Sequence, residues 1–429
     1  MNNTRTQQLD AWTITTLAII AVAPIISNGA TLIGVVLFLI WLFKYRSFPI
    51  NWKTAVGKLS IVLLVYFFTI LLVTLINEQS FIALKSIAAV SQFLYLGLLL
   101  PFLAVKIKPI STSTIGCLAT GATLVCFGLA LIEYQFFRDF NVGFVLDISE
   151  HIRPKWIGLF GGERVALFTG NPNTLATILF PLAFLSVAGW QDKTFTWKTL
   201  SIVAVITGIV TTGVFAGTRM TIMITPLLLA IVWFYLLVVD RRSAYWFIAL
   251  LLTIILLIFS QWESISSSSI VQRLLNLWIE ISSETDAVYD SSFSQRKIML
   301  ESSWAAFVDS PVIGHGAHNK YEAIRSYFAG TILEGSSYRT SHNIYATHAA
   351  VGGIIGLTSL FTVILFPIYI VVRFSKIAKS SDIFIATVFT LSIMGLGVSE
   401  AMFFNDAKNT HYIILWFIFA HILDSHRKR

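Results

Sequence analysis

The sequence predicts an all-α, polytopic membrane protein with about twelve transmembrane helices, and three observations carry that expectation. The first is composition. Of 429 residues 56% are hydrophobic and only 12% charged, with a mean hydropathy of +0.78, whereas a soluble domain carries about 25% charged residues. The second is length: runs of roughly 20 apolar residues, enough to cross a bilayer as helix, recur along most of the chain. The third is charge order, because basic residues cluster after every second run.

In order, the predicted spans are roughly 12–27, 29–43, 59–76, 81–104, 112–133, 170–189, 198–217, 220–239, 244–260, 344–373, 381–399 and 408–424. The first run has no small-residue cleavage site and another span follows at once, so it reads as a retained helix. Spans seven and eight are divided only by "GTRM", and the tenth is unusually long. Lys44, Arg46, Lys53 and Lys58 follow span two, Lys106 and Lys108 span four, and Lys193 and Lys198 span six. Arg241 and Arg242 follow span eight, Arg373, Lys376 and Lys379 span ten, and "RKR" stands at 427–429. The positive-inside rule makes these exits cytoplasmic, and with them both termini. The net charge of +8 is therefore topological and does not point to nucleic acid. Cys117 and Cys126 share one apolar run and read as small embedded side chains.

The whole chain, 1–429, reads as a single integral membrane domain with two long outer segments, 134–169 and 261–343. The second opens with the Ser-rich connector "SISSSS" and then offers "SQRKIMLESSWAAFVDS", 294–310. Ile298, Leu300, Trp304, Ala305, Phe307 and Val308 give that stretch an apolar helical face, suited either to the membrane surface or to neighbouring spans. Pro311, Gly314 and Gly316 end it.

Against the charge rule, several arginines fall on the outer side. Arg219 is the only charge between Lys198 and Asp240. It is either a snorkelling anchor or an anion clamp, and the planar fork of guanidinium suits the clamp. Arg296 stands near the start of the amphipathic stretch, where a cation opposes the helix dipole, so helix stability does not explain it. Arg164 lies on the same outer side, ahead of Asn171 and Pro172, which read as an N-cap and first helical residue. His342 and Asn343 stand at the threshold of span ten. Histidine is the natural general base near neutral pH, and the pair reads equally as a helix cap. The following "GGIIG" admits a closely approaching helix. His348, six positions on, reads as structural. No Walker A or dinucleotide-binding glycine pattern is present, and no spacing suggests zinc, so neither cofactor nor metal is expected.

These residues resemble the O-antigen ligases, within a wider group of O-antigen ligase and polymerase membrane proteins. Those ligases carry His, then Asn, Ser or Gln, nine residues, and Gly-x-x-Gly-Thr-Thr. Here His342, Asn343, nine residues, Gly353, Ile354, Ile355, Gly356, Leu357 and Thr358 follow that order, with Leu357 where the first Thr is usual. "GTRM", "ERVALFTGNPNTLA" and "SQRKIMLESSWAAFVDSPVIGHGAHN" resemble further family segments, so the resemblance spans roughly 160–365.

The resemblance implies a GT-C-like glycosyltransferase of the bacterial inner membrane, acting on the periplasmic side. Its donor would be an undecaprenyl-pyrophosphate-linked glycan and its acceptor lipid A–core. His342 would be the general base; Arg219, Arg296, Arg164 and Asn343 would bind substrate, without metal or ATP. The nearest alternatives are an O-antigen polymerase and a protein O-oligosaccharyltransferase. A lipid-linked glycan transporter would instead place charged or broken helices near mid-membrane.

Overall fold

Long apolar runs hydrogen-bond internally because a bilayer offers their backbone no other partner. A computed structural model describes residues 51–77, 87–108, 110–139, 171–260, 291–336, 341–400, 402–403 and 406–427, with single positions 36, 39, 40, 42, 43, 165, 167 and 272. The predicted span 12–27, all of 29–43 but the single positions 36, 39, 40, 42 and 43, and Arg164 lie outside the described residues. The described helices are α1 (Ala55–Asn77), α2 (Ser91–Lys106), α3 (Thr112–Asp139), α4 (Pro172–Leu185), α5 (Phe195–Ile209), α6 (Arg219–Val239) and α7 (Arg241–Ser260). They continue as α8 (Ser291–Asp309), α9 (Gly316–Arg325), α10 (Ile344–Ile364), α11 (Phe366–Arg373), α12 (Ser380–Leu396) and α13 (Asp406–Arg427). Among the described residues, six helical stretches have the length and composition to cross a membrane, one of them, Ile344–Ile364, interrupted at Gly353, and α4 and α12 are shorter apolar helices. The protein is a helical, multi-pass membrane protein.

The helix ends sort into two faces. On one, the basic exits converge. Asp424 of α13 accepts from the backbone N–H groups of Ala55 (2.6 Å) and Val56 (3.0 Å), capping α1 from the far end of the chain. His421 donates to the Ile107 carbonyl at 2.8 Å and Arg427 to that of Lys53 at 3.2 Å. Asp240 takes Lys198 and the Trp190 indole, each at 3.2 Å. On the opposite face the Asn409 amide donates to the Ala89 carbonyl at 2.9 Å. There too the Thr218 hydroxyl reaches Asn173 at 3.5 Å, joining the starts of α4 and α6.

Two irregularities shape this second face. Between α5 and α6 a π-helical turn, Val210–Phe215, ends in Gly217 at φ 58°, so Arg219 opens α6 after a sharp reversal. The two runs divided by "GTRM" are thus separate helices. The other irregularity corrects the long tenth span. Gly353 sits at φ 57°, ψ −146°, a conformation open essentially to glycine alone, and there α10 folds back on itself. Tyr345 stacks on Phe361 with ring centroids 5.7 Å apart. In a straight helix residues sixteen apart would be separated by about 24 Å. A Cβ on Gly356 would lie 2.8 Å from the His348 carbonyl oxygen. Residues 344–352 therefore form a returning arm, and 354–364 with α11 continue toward the basic face. A straight helix over 344–373 would measure about 45 Å, well beyond a hydrocarbon core of about 30 Å. The fold-back removes that mismatch.

The "GGIIG" glycines serve this turn. The expected neighbouring helix is α1, whose Val73 stands against Gly352, and the structure adds the α8–α9 loop and the first arm of α10. The Pro311 carbonyl accepts from Ile354 N–H at 2.8 Å, taking up a donor freed by the break, and His315 N–H donates to the Ala350 carbonyl at 2.9 Å. A Cβ on Gly353 or on Gly314 would meet backbone at 2.5 Å. In α8, the small face of Ser302, Ser303 and Ala306, with Met299, is buried toward the bundle. Of the two settings open to the apolar face, Leu300, Trp304 and Val308 do not pack on neighbouring spans but point outward.

Candidate functional site

The returning arm sets His342 at its foot. Asn343 caps the arm, its side-chain oxygen accepting from Ala346 N–H at 2.9 Å. Its amide nitrogen donates to the Val398 carbonyl at 3.0 Å, and Ile344 N–H donates to Gly397 at 2.7 Å. These bonds tie the arm to the loop between α12 and α13. His348 holds the other side. Its Nδ1 donates to the Ile344 carbonyl at 2.7 Å, so its Nε2 accepts from the Tyr66 hydroxyl, also at 2.7 Å. Each ring nitrogen of His348 has a structural partner.

His342 itself adopts φ 48°. A left-handed conformation is uncommon outside glycine and costs about 1–3 kcal/mol, so the surroundings must impose it. The imidazole is half-buried. Burial is the main cause that pushes its pKa below the ordinary 6.5; Glu400 opposes the shift, and Arg296 and Lys408 add to it. The arm's positive dipole end acts in the same direction. His342 is thus neutral at pH 7, the form a proton acceptor needs.

The Glu400–Lys408 pair is a feature the sequence reading missed. Its two charges meet at 2.7 Å with side chains 9% and 5% exposed. Burial alone would raise the Glu400 carboxyl. The charge and hydrogen bond of Lys408, with His342 and Arg296 behind them, bring it below the usual carboxylate value. Phe403, at φ 65°, and Met402 bury fully beside Glu400 and fix its loop; Phe403 packs against Phe93, Tyr66, His348 and Trp416. The available signal was two acids, Glu400 and Asp406, and Lys408 inside an otherwise apolar context, "SEAMFFNDAK", but nothing in it connects Glu400 to a histidine 58 positions earlier.

Of the predicted arginines, Arg296 on α8 shares the electrostatic neighbourhood of His342 and Glu400. Arg219 lies across α12. A Cβ on Gly395 would meet Ile224 of α6, and one on Gly397 would meet Ile344 of α10, so the end of α12 stands between them. Arg219 and His342 therefore flank the same helix end from two sides. Val165 N–H donates to the Phe215 carbonyl at 2.9 Å, which brings the residue after Arg164 to the segment leading into Arg219. Leu357, the departure from the family pattern, packs against the main core, and Thr358 bonds back to the Ile354 carbonyl at 2.7 Å. Among the described residues no group of three or more His, Cys, Asp or Glu has metal-binding geometry.

The fold and this face define a polytopic helical membrane protein with a basic, histidine-containing site at the ends of its helices. Residues 202–361 match the family model described as O-antigen ligase. The similarity to that family covers 160 of the 429 residues. The match contains Arg219, Arg296, His342 and Asn343, and excludes Arg164, Glu400 and Lys408. Comparison with curated proteins finds no match.

Proposed function

We propose that the protein is an O-antigen ligase that moves an undecaprenyl-pyrophosphate-linked glycan onto a hydroxyl of lipid A–core at the periplasmic side of the bacterial inner membrane. The reading adopts twelve spans, a GT-C-like organisation and cytoplasmic termini, which put the face bearing His342 outside. The observation that carries it is His342, held neutral and in a left-handed conformation at the foot of the returning arm, with Arg296 beside it.

In this mechanism the neutral imidazole of His342 takes the proton of the acceptor hydroxyl. The oxygen attacks the anomeric carbon of the donor as the bond to the pyrophosphate oxygen breaks. Undecaprenyl pyrophosphate leaves with the bonding electrons, and Arg296 and Arg219, with Arg164, meet its charge. Each such charge-assisted contact contributes about 1.5–3 kcal/mol. Glu400 and Lys408 are positioning residues: the pair fixes the loop against Asn343 and offsets part of the positive field on the imidazole. Asn343 stays close to substrate while its cap holds the arm. The donor already carries its leaving group, so no ATP-driven step enters.

The test is turnover by purified protein with lipid-linked donor and lipid A–core, together with gel analysis of lipopolysaccharide from a deletion strain. Transfer of finished polymer in vitro, and a bare core with accumulating lipid-linked polymer in the strain, are expected. A core carrying a single repeat unit would overturn the reading in favour of a polymerase.

A further inference from the structure

Leu300, Trp304 and Val308 recur at i, i+4 and i+8 on α8 and are 46%, 61% and 58% exposed; Val312, in the turn that follows, is 56% exposed. Four large apolar groups in one line facing water forgo the burial that apolar surface favours. The opposite side of α8 is occupied by its small residues, so the line cannot turn inward without displacing them.

What covers the line follows from where it ends. The Val312 and Pro311 carbonyls accept the N–H groups of Ile355 and Ile354, at 3.3 and 2.8 Å. At that point the second arm of α10 begins its own exposed line: Ile354, Phe361, Leu365, then Tyr369 and Val372 on α11. That line runs down to Arg373 at the basic face and is the lipid-facing side of a span. The α8 line is thus the continuation of a bilayer-facing surface. At its far end it meets Lys297 and is bordered by Glu301, both exposed, the arrangement of a helix seated at the headgroup boundary with tryptophan at the interface.

We propose that α8 lies in the surface of the leaflet opposite the basic face, with Leu300, Trp304, Val308 and Val312 in the acyl region. The partner is the phospholipid bilayer itself. Since α8 also carries Arg296, the bilayer then fixes the height of that guanidinium at the level of lipid phosphates. The inference needs only the membrane character of the fold and no glycan chemistry.

The test uses the full chain with Cys117→Ala and Cys126→Ala, reconstituted in phospholipid nanodiscs. Single cysteines at Trp304→Cys, Val308→Cys and, as a water-facing control, Glu322→Cys are labelled with the environment-sensitive dye NBD. At 304 and 308 a blue-shifted emission is expected, quenched about two-fold or more by lipids spin-labelled near the headgroup and insensitive to aqueous iodide. The control should behave the opposite way. Emission typical of water at both 304 and 308, with iodide quenching, would overturn the proposal. So would insensitivity to both quenchers with cross-linking between two copies, which would assign the line to a second chain. Two labelled positions keep the test decisive if one variant fails to fold, and no readout depends on transferase turnover.

Discussion

Two lysine–carboxylate pairs separate the two ends of this molecule. Lys198–Asp240 on the basic face meets at 3.2 Å with side chains 25% and 28% exposed. Lys408–Glu400 on the opposite face meets at 2.7 Å and is buried. The first closes a junction between helices that water could also solvate. The second takes two charges out of water, where the desolvation cost rivals the Coulomb gain, so it is poorly explained as a stability device. Around it cluster His342 and Phe403, both in left-handed backbone, whereas among the described residues the positive φ on the basic face falls on a glycine, Gly189. One end is built for economy of structure. The other holds strain and buried charge, as functional sites do.

The largest expected effect lies on the strained end. His342→Ala should lower transfer by about 10²–10⁴-fold with normal membrane insertion, and turnover of purified variant at matched protein amounts checks it. Because the imidazole is depressed below 6.5, its neutral form persists above that value. Wild-type activity should therefore be flat through neutral pH and fall only as acid titrates His342 below 6.5. A rate that keeps rising above neutrality would remove His342 from the base role.

Next is the contrast between the pairs. Glu400→Gln leaves Lys408 buried without its counter-charge and should cost about 3–5 kcal/mol of stability. Lys198→Ala, at a partly solvated pair, should cost about 0–1 kcal/mol. Thermal unfolding in detergent measures both, and equal losses would erase the distinction. In Glu400→Gln protein that retains activity, the acid limb of the pH profile should move to lower pH, since the carboxylate that raises the His342 pKa is gone. A purely structural loss would leave that limb in place.

Arg219→Lys sharpens the same division at one residue. An anchor needs only charge and would tolerate lysine, but a pyrophosphate clamp needs the planar fork. Loss of one charge-assisted contact should cost about 1.5–3 kcal/mol of transition-state binding. The value kcat/KM reports it, and full activity would return Arg219 to an anchoring role.

The smallest predicted change in side-chain size tests the turn. Gly353→Ala adds one methyl where backbone stands 2.5 Å away and φ is 57°. Strained backbone of this kind costs about 1–3 kcal/mol even before the clash. Destabilisation together with release of the α8–α9 loop to proteolysis is expected. An unaffected variant would mean that the fold-back tolerates other conformations.

The sequence by itself determined the membrane character, most of the apolar helices among the described residues and the grouping of the basic exits, because hydropathy and charge are properties each segment carries alone. It also marked His342 and Arg296, whose residue types are out of place where they stand. It did not reveal that 344–364 reverses. Apolar residues on the two arms follow the same helical period, and Gly352–Gly353 reads as a packing notch until the Pro311–Gly314 loop is seen seated against it. Nor did it reveal Glu400 and Lys408. Their meaning depends on a field from His342 on one helix and Arg296 on another, and only the packed bundle brings such distant charges into a medium that does not screen them.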